Sequence, residues 1–359
     1  SEAMTGFVLG DIDISSGSLS ALSGSGDTYT STFTPSGDVT HTIDIDASKF
    51  TDAVGNQNTA SNAYTWTYDG TNPTMTITSS GSANGGASNA AVTLTFTSSE
   101  ATSNFAHGDI TVSGGTLGSL GTTSSTVYTA TFTPSAEGSM TIDVAGDGFT
   151  DAVGNGNTAA TQFAYTHDTT APAMVITTTT AGVTSGSTTN DGTIAYVFTA
   201  GQATTNFVKD DITVSGGTLG PLTEVTSVKY TATFTPSGDG ATSVAVAAGT
   251  FTDAAGNFNT VSNTFAWTYD GTGPTMTITS ADMSNGGAFN AATTLTFTSN
   301  EATTTFAAED IVVSNGAISS FAANGGSTTV YTATLTPSGD GASSFAVAGF
   351  KFTEAAGKQ

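Results

Sequence analysis

Tyr128-Thr129-Ala130-Thr131-Phe132-Thr133-Pro134-Ser135 alternates apolar side chains with threonine and then stops at a proline. Period two places every second side chain on one face of an extended chain, so this octet reads as a strand with one buried and one exposed face. Proline closes it by removing a ladder donor. Closely similar octets begin at Tyr29, Tyr230 and Tyr331, so one segment supplies both a local conformation and an internal repeat.

Other blocks keep the same step. Phe50-Thr-Asp-Ala-Val-Gly-Asn56 returns at Phe149, Phe251 and, altered, at Phe352, at intervals of 99, 102 and 101 residues. Related segments open at Asp11, Asp109, Asp211 and Asp310, and linker-like stretches run over 69–73, 168–172 and 270–274, each ending in proline. The chain is therefore read as four repeats, 1–71, 72–171, 172–273 and 274–359. In the second, the pairs and triplets Met75/Ile77, Val92/Leu94/Phe96, Ile110/Val112, Tyr128/Ala130/Phe132, Met140/Ile142/Val144 and Phe163/Tyr165 predict strands A (74–79), B (92–98), C (109–113), D (116–121), E (126–133), F (139–145) and G (161–167). No segment carries a helical stripe. About seven short strands per repeat predict an all-β fold: tandem immunoglobulin-like antiparallel sandwiches in an elongated array. The first repeat starts at the counterpart of Glu100 and lacks the first strands, and the last stops before the counterpart of Thr158 and lacks the final one. The sequence either samples a longer array or takes the missing strands from neighbouring chains.

Composition removes several functions. Five Lys+Arg, none of them Arg, stand against 29 Asp+Glu, a net charge of -24, so a cationic footprint for phosphates or anionic lipid is missing and nucleic-acid binding is not expected. No apolar run reaches the ~20 residues of a membrane span. With no Cys, thiolate catalysis, disulfides and cysteine-ligated metals are out. No catalytic constellation breaks the repeat, so an enzyme is not expected. No Asn-x-Ser/Thr sequon occurs with x other than Pro.

Asp168-Thr-Thr-Ala-Pro172, the Asp-Ala-Val/Ala-Gly-Asn block, and the spacing from Ser98-Ser-Glu-Ala-Thr102 to Asp109-Ile-Thr-Val112 resemble the bacterial immunoglobulin-like (Big-type) repeats in the stalks of giant extracellular surface adhesins. That resemblance implies an extracellular or cell-surface location and a stalk or extender role. It also implies calcium near the linkers, contacts with neighbouring repeats or other copies of the chain, and any surface or matrix ligand bound elsewhere in a longer protein. Alternatives are a self-assembling filament, sheath or surface-layer subunit, and a lectin or ice-binding module suggested by threonine rows such as Thr74, Thr76 and Thr78.

The acids follow a pattern. If the strands alternate in direction, the B–C, D–E and F–G loops share the pole at which the linker enters. Repeat two then gathers Asp69 from the linker, Glu100 and Asp109 flanking the B–C loop, and Asp151, Asn155 and Asn157 in the F–G loop. Oxygen ligands without Cys or consistent His suit calcium. Equivalent sets are Glu2, Asp11, Asp52 and Asn56; Asp168, Asp211, Asp253 and Asn257; and Asp270, Glu301 and Asp310. Gln202 replaces Glu100's counterpart in the third, weakening it. Glu354 and Lys358 stand where Asp151 and Asn155 do, which puts the fourth in doubt. Asp-x-x-Gly-Asn is also a good metal-free turn. Asp38, Glu137, Asp239 and Asp340, in the E–F turns at the opposite pole, read mainly as turn residues, with reach to the next repeat's ion as the alternative. His41, His107 and His167 sit at non-equivalent places, and Trp66 and Trp267 read as core.

Overall fold

A computed structural model describes residues 2–102, 104–349, 351–354, 356 and 357; Lys358 lies outside them. The chain forms two compact units, Ser1–Asp168 and Thr169–Gln359.

In the first unit, repeat two is a sandwich of two sheets. One orders A (Met75–Ser79), B (Val92–Ser98), E (Val127–Pro134) and D (Gly115–Leu117). The other orders a short strand Ala87–Ser88, G (Phe163–His167), F (Gly138–Val144) and C (Ile110–Ser113). The alternation sets the register: Phe96 faces Tyr128 and Leu94 faces Ala130 across one sheet, and Met140 faces Tyr165 across the other. Leu94, Phe96, Phe132, Ile142, Phe149 and Phe163 fill the interior, while the intervening threonines face outward on twisted strands, a role that requires no ligand.

Two details correct the strand reading. The predicted D strand is split, Gly115–Leu117 and Gly121–Thr122 both pairing with E. Ala87–Ser88 pairs in parallel with G; a two-residue strand leaves no period to detect. At the C–D corner, Gly114 takes φ +83°, and a Cβ on Gly115 would lie 2.4 Å from the Thr133 carbonyl oxygen, so the close approach of D to E requires glycine there.

Repeat one contributes the sheet Asp13–Ile14, Thr40–Asp44, Tyr64–Thr67 and the pair Ser18–Leu19 with Phe33–Thr34. Trp66 is half-buried, against Phe33 and His41. His41 is fully buried, its Nδ1 2.8 Å from Ser16 Oγ.

In the second unit, repeat three repeats the complete sandwich, with A at Met174–Thr178, B at Ile194–Ala200, E at Lys229–Pro236, F at Gly240–Val246 and G at Phe265–Tyr269. Repeat four has A (Met276–Ser280), B (Thr293–Ser299), E (Val330–Pro337) and D within Gly316–Ala323 in one sheet. Among the described residues, C (Ile311–Ser314) and F (Ser344–Val347) form the other.

The two complete cores differ at several positions, and one of these differences involves a buried hydrogen bond. Trp267 Nε1 donates to the Tyr196 hydroxyl at 2.8 Å. In repeat two Leu94 takes the place of Tyr196, and the buried Tyr165 hydroxyl, where Trp267 stands, has no hydrogen-bond partner among the described residues. Tyr165→Phe should therefore stabilise repeat two by about 1 kcal/mol, by removing an unsatisfied buried group. Urea unfolding of both proteins checks this, and a lower midpoint for the variant would show that the hydroxyl is satisfied.

Candidate metal centre at the repeat junctions

The direction of each strand decides which acids meet. B ends and G is reached at the pole where the linker arrives, so Glu100, just past B, and Asp151, in the F–G loop, stand beside Asp69 of the linker. One carboxylate oxygen from each lies within 4.8 Å of the others, and Asp270, Glu301 and Glu354 form the same arrangement in the second unit. These are the two acidic groupings of this kind among the described residues of the units.

Each side chain is held by backbone that folds for its own reasons. Asp151 Oδ1 accepts the N–H groups of Val153, Gly154 and Asn155 at 2.9, 2.7 and 2.9 Å, and Asn155 Nδ2 donates to Asp151 Oδ2 at 2.8 Å. This is the turn chemistry of Asp-x-x-Gly-Asn. Asp52 and Asp253 build the same turn with Asn56 and Asn257. Turn and ligand are compatible roles, because the turn fixes the carboxylate and leaves lone pairs on it. Asn155 Nδ2 also donates to the Asp69 carbonyl at 3.0 Å, tying the F–G loop to the incoming linker.

The linker is gripped from the other side as well. The Asp38 carboxylate accepts the Gly70 N–H at 2.8 Å and the Thr71 hydroxyl; Asp239 accepts the equivalent Gly271 N–H at 2.6 Å and the Thr272 hydroxyl. These E–F turn acids hold the linker and belong to the junction.

Other predicted ligands are used elsewhere. Asp109 Oδ2 accepts the Ala106 N–H at 2.8 Å, closing the short 3-10 turn that leads into strand C. Asp11, Asp211 and Asp310 do the same for Val8, Val208 and Ala307. They cap a turn and are not gathered with the junction acids. Asn157 is likewise a structural clip: its Oδ1 accepts the Phe149 N–H and its Nδ2 donates to the carbonyls of Ala145 and Thr158. Glu2 is exposed and is not brought together with Asp11 and Asp52. Asp168 ends the first unit, its N–H donating to the Ser88 carbonyl. Glu354, by contrast, stands where Asp151 does, bridged to Thr303 as Asp151 is to Thr102. The longer side chain still delivers a carboxylate to the fourth set, against the doubt raised by the sequence.

The electrostatics are unfavourable without a cation. Burial, then the charges of Asp69, Asp151 and Asp38, push the Glu100 carboxyl above its ordinary value. Burial, Asp270, Glu354 and Asp239 do so for Glu301, against a lowering by Asn300. Glu301 Oε2 is buried with no hydrogen-bond partner among the described residues. Asp151 goes the other way: burial opposes its charge, but hydrogen bonds from the Asn155 side chain and the loop amides hold it below its ordinary value. Thr71 and Gly70 lower Asp38, and Asn56 lowers Asp52.

These shifts have opposite signs in pH. The raised Glu100 and Glu301 carry a penalty for charge in the folded state that is full at neutral pH and relieved as pH falls through values above 4.5. The lowered Asp38, Asp52 and Asp151 stabilise the fold above 3.8, and that contribution is lost as pH falls through their folded values. In chelator, the melting temperature should rise from neutral pH toward about pH 5 and fall again below about pH 4. A steady fall from neutral pH would contradict the crowding of carboxylates described here.

A donor set of oxygens alone, with an orphaned buried carboxylate oxygen in one copy, fits a hard divalent cation of the calcium class.

No curated protein matches the sequence. Among solved structures, the chain is similar to invasin, described as a bacterial integrin-binding protein, at 14% identity over 94% of this chain and 66% of that one, with a TM-score of 0.36. It is similar to InvD of Yersinia pseudotuberculosis at 15% identity over 78% of this chain and 83% of that one, with a TM-score of 0.34. It also matches domains 4–9 of the surface layer protein SbsC at 14% identity, 77% of this chain and 42% of that one, with a TM-score of 0.21. The chain thus spans 66% of the length of the invasin structure. The sequence profile of the bacterial Ig-like domain matches four times, over residues 1–68, 69–167, 168–269 and 270–359. The chain belongs to the bacterial Ig-like domain family, as four tandem copies.

Proposed function

We propose that the chain is a stalk or extender segment of an extracellular, adhesin-type repeat protein, and that calcium at the linkers stiffens the joints between consecutive repeats. The observation that carries this reading is the convergence of three carboxylates from three separate elements, linker, B–C loop and F–G loop, at the entry to repeat two and again at the entry to repeat four. A bound calcium ion would supply charge neutralisation and a shared set of bonds at these points. The chain's own residues do the rest: Asp38 and Asp239 clamp the linker, Asn155 ties it to the F–G loop, and the Asp151 turn holds its carboxylate in place. Without the ion, like charges a few ångströms apart repel, and the joint hinges. Affinity of the extracellular class, in the range of about 0.1–1 mM, matches a site of few charged ligands on loops. The role is structural rather than catalytic. Small-angle scattering in millimolar calcium and in chelator tests it: the reading expects a stiffer particle with calcium, and identical curves would count against it.

A further inference from the structure

In two of the linkers an aromatic ring folds back over a glycine. Tyr68-Asp69-Gly70 and Tyr269-Asp270-Gly271 open the first and third linkers with the same spacing, and residues two apart in extended chain share a side. A Cβ on Gly70 would stand 3.0 Å from the Tyr68 hydroxyl oxygen and 3.1 Å from its Cε1; on Gly271 it would stand 2.6 Å from the Tyr269 hydroxyl oxygen and 2.8 Å from its Cζ. Neither glycine has a left-handed φ, so the room taken by the ring, and not the backbone conformation, calls for glycine there. Behind each ring stands a buried ring of the core: Trp267 meets Tyr269 edge-on with centroids 6.2 Å apart, and His41 meets Tyr68 at 6.5 Å. The tyrosine thus spans from core to linker. Between it and its glycine lies the linker's own carboxylate of the junction triad, Asp69 or Asp270.

The second linker departs at both ends of this pair. His167 and Thr169 stand where Tyr68 and Gly70 do, and His167 Nδ1 lies 3.0 Å from the Ser88 carbonyl oxygen. The repeat that this linker enters is also the one with Gln202 in the place of Glu100 and Glu301. Ring, glycine and glutamate therefore occur together at the first and third linkers and are replaced together at the second.

We propose that Tyr68 and Tyr269 are positioning residues of the two candidate metal centres. Each ring, wedged between the core and the linker glycine, fixes the path of the linker and with it the place of the carboxylate in between. The tyrosines touch no ion themselves and act through Asp69 and Asp270. The proposal rests on the calcium reading and adds residues that no carboxylate pattern would find. Groups that orient a ligand in this way govern metal affinity by about 10–100-fold.

NMR of the whole labelled chain, carried from chelator into calcium, tests this. The Thr71 and Thr272 amides, which donate to Asp69 Oδ1 and Asp270 Oδ1 at 3.1 and 3.3 Å, report the two junctions separately. In chelator, the ring current of each tyrosine should displace the α-protons of Gly70 and Gly271, and Tyr68→Ala should abolish the displacement at Gly70 alone. On titration, Tyr68→Ala and Gly70→Ala should each weaken calcium binding at the first junction by about tenfold or more and leave the second unchanged. Tyr68→Phe keeps the ring and should bind as the parent does. Because both substitutions break one contact, Tyr68→Ala and Gly70→Ala combined should bind as weakly as either alone, not at the product of the two losses. Full affinity in the single variants, or losses that multiply in the double one, overturns the proposal and leaves the calcium reading standing. A parent that binds no calcium overturns that reading and the proposal with it.

Discussion

A few millimolar calcium should raise the melting temperature of the metal-free chain by roughly 5–15 °C. An ion bound in the range of about 0.1–1 mM and present at several millimolar contributes about 1–2 kcal/mol per site, and each kcal/mol moves the midpoint of a domain near 100 residues by about 4–8 °C. Glu100→Gln gives the sharper form of the test. It keeps the shape of the side chain and removes a charge that burial, Asp69, Asp151 and Asp38 all oppose. The variant should melt higher than the parent in chelator and gain less from calcium, with affinity at the first junction reduced about tenfold or more. The second junction, built on Asp270, Glu301 and Glu354, should respond as before. A variant that melts lower in chelator, or keeps the full calcium response, would remove Glu100 from the site.

Asn157→Ala should cost repeat two about 3 kcal/mol, a drop of roughly 15 °C in its melting temperature, with or without calcium. The side chain is 2% exposed. Its loss leaves the buried Phe149 N–H without its 2.9 Å bond, which costs about 1–3 kcal/mol, and removes the 2.8 Å bonds to the carbonyls of the exposed residues Ala145 and Thr158, each worth about 0.5–1 kcal/mol. Asn259 makes the same contacts in repeat three, so Asn259→Ala should match it there. Asn155→Ala should differ in kind, with a smaller loss in chelator and a weaker calcium response, because its amide bridges Asp151 and the linker carbonyl of Asp69. Differential scanning calorimetry of the three variants separates the clip from the junction residue. Equal losses for Asn155 and Asn157 would merge the two roles.

The sandwich was legible because large apolar residues recur at every second position in the long strands, most often with Thr between them, and period two survives any later choice of partner. The same reading carried Glu100, Asp151 and Asp69 to one pole, and Glu301 and Asp270 to its counterpart, since alternating strand direction is enough to place loop ends. It failed for Asp109, Asp211 and Asp310. Closeness to the pole along the chain does not by itself bring a carboxylate into the junction: each of these caps a 3-10 turn just before strand C and lies outside the two gathered triads. Asp38 and Asp239 were correctly set at the far pole of their own repeats. That pole is also where the linker to the next repeat begins, and so they grip Gly70 and Gly271. The replacement of the Asp–Asn pair by Glu354 and Lys358 put the fourth set in doubt, yet one added methylene only extends the reach of a carboxylate held by the same loop, and Glu354 joins Asp270 and Glu301. Ala87–Ser88 left no trace because two residues carry no period.

Calorimetric titration of calcium into the metal-free chain at neutral pH tests the central claim most directly. The account predicts saturable binding of at least two ions per chain, one fewer in Asp151→Ala, whose metal-free fold is checked beside it. Absence of binding at millimolar calcium, or an unchanged stoichiometry in the variant, would contradict it and leave the Asp-Gly-Asn loops as turns.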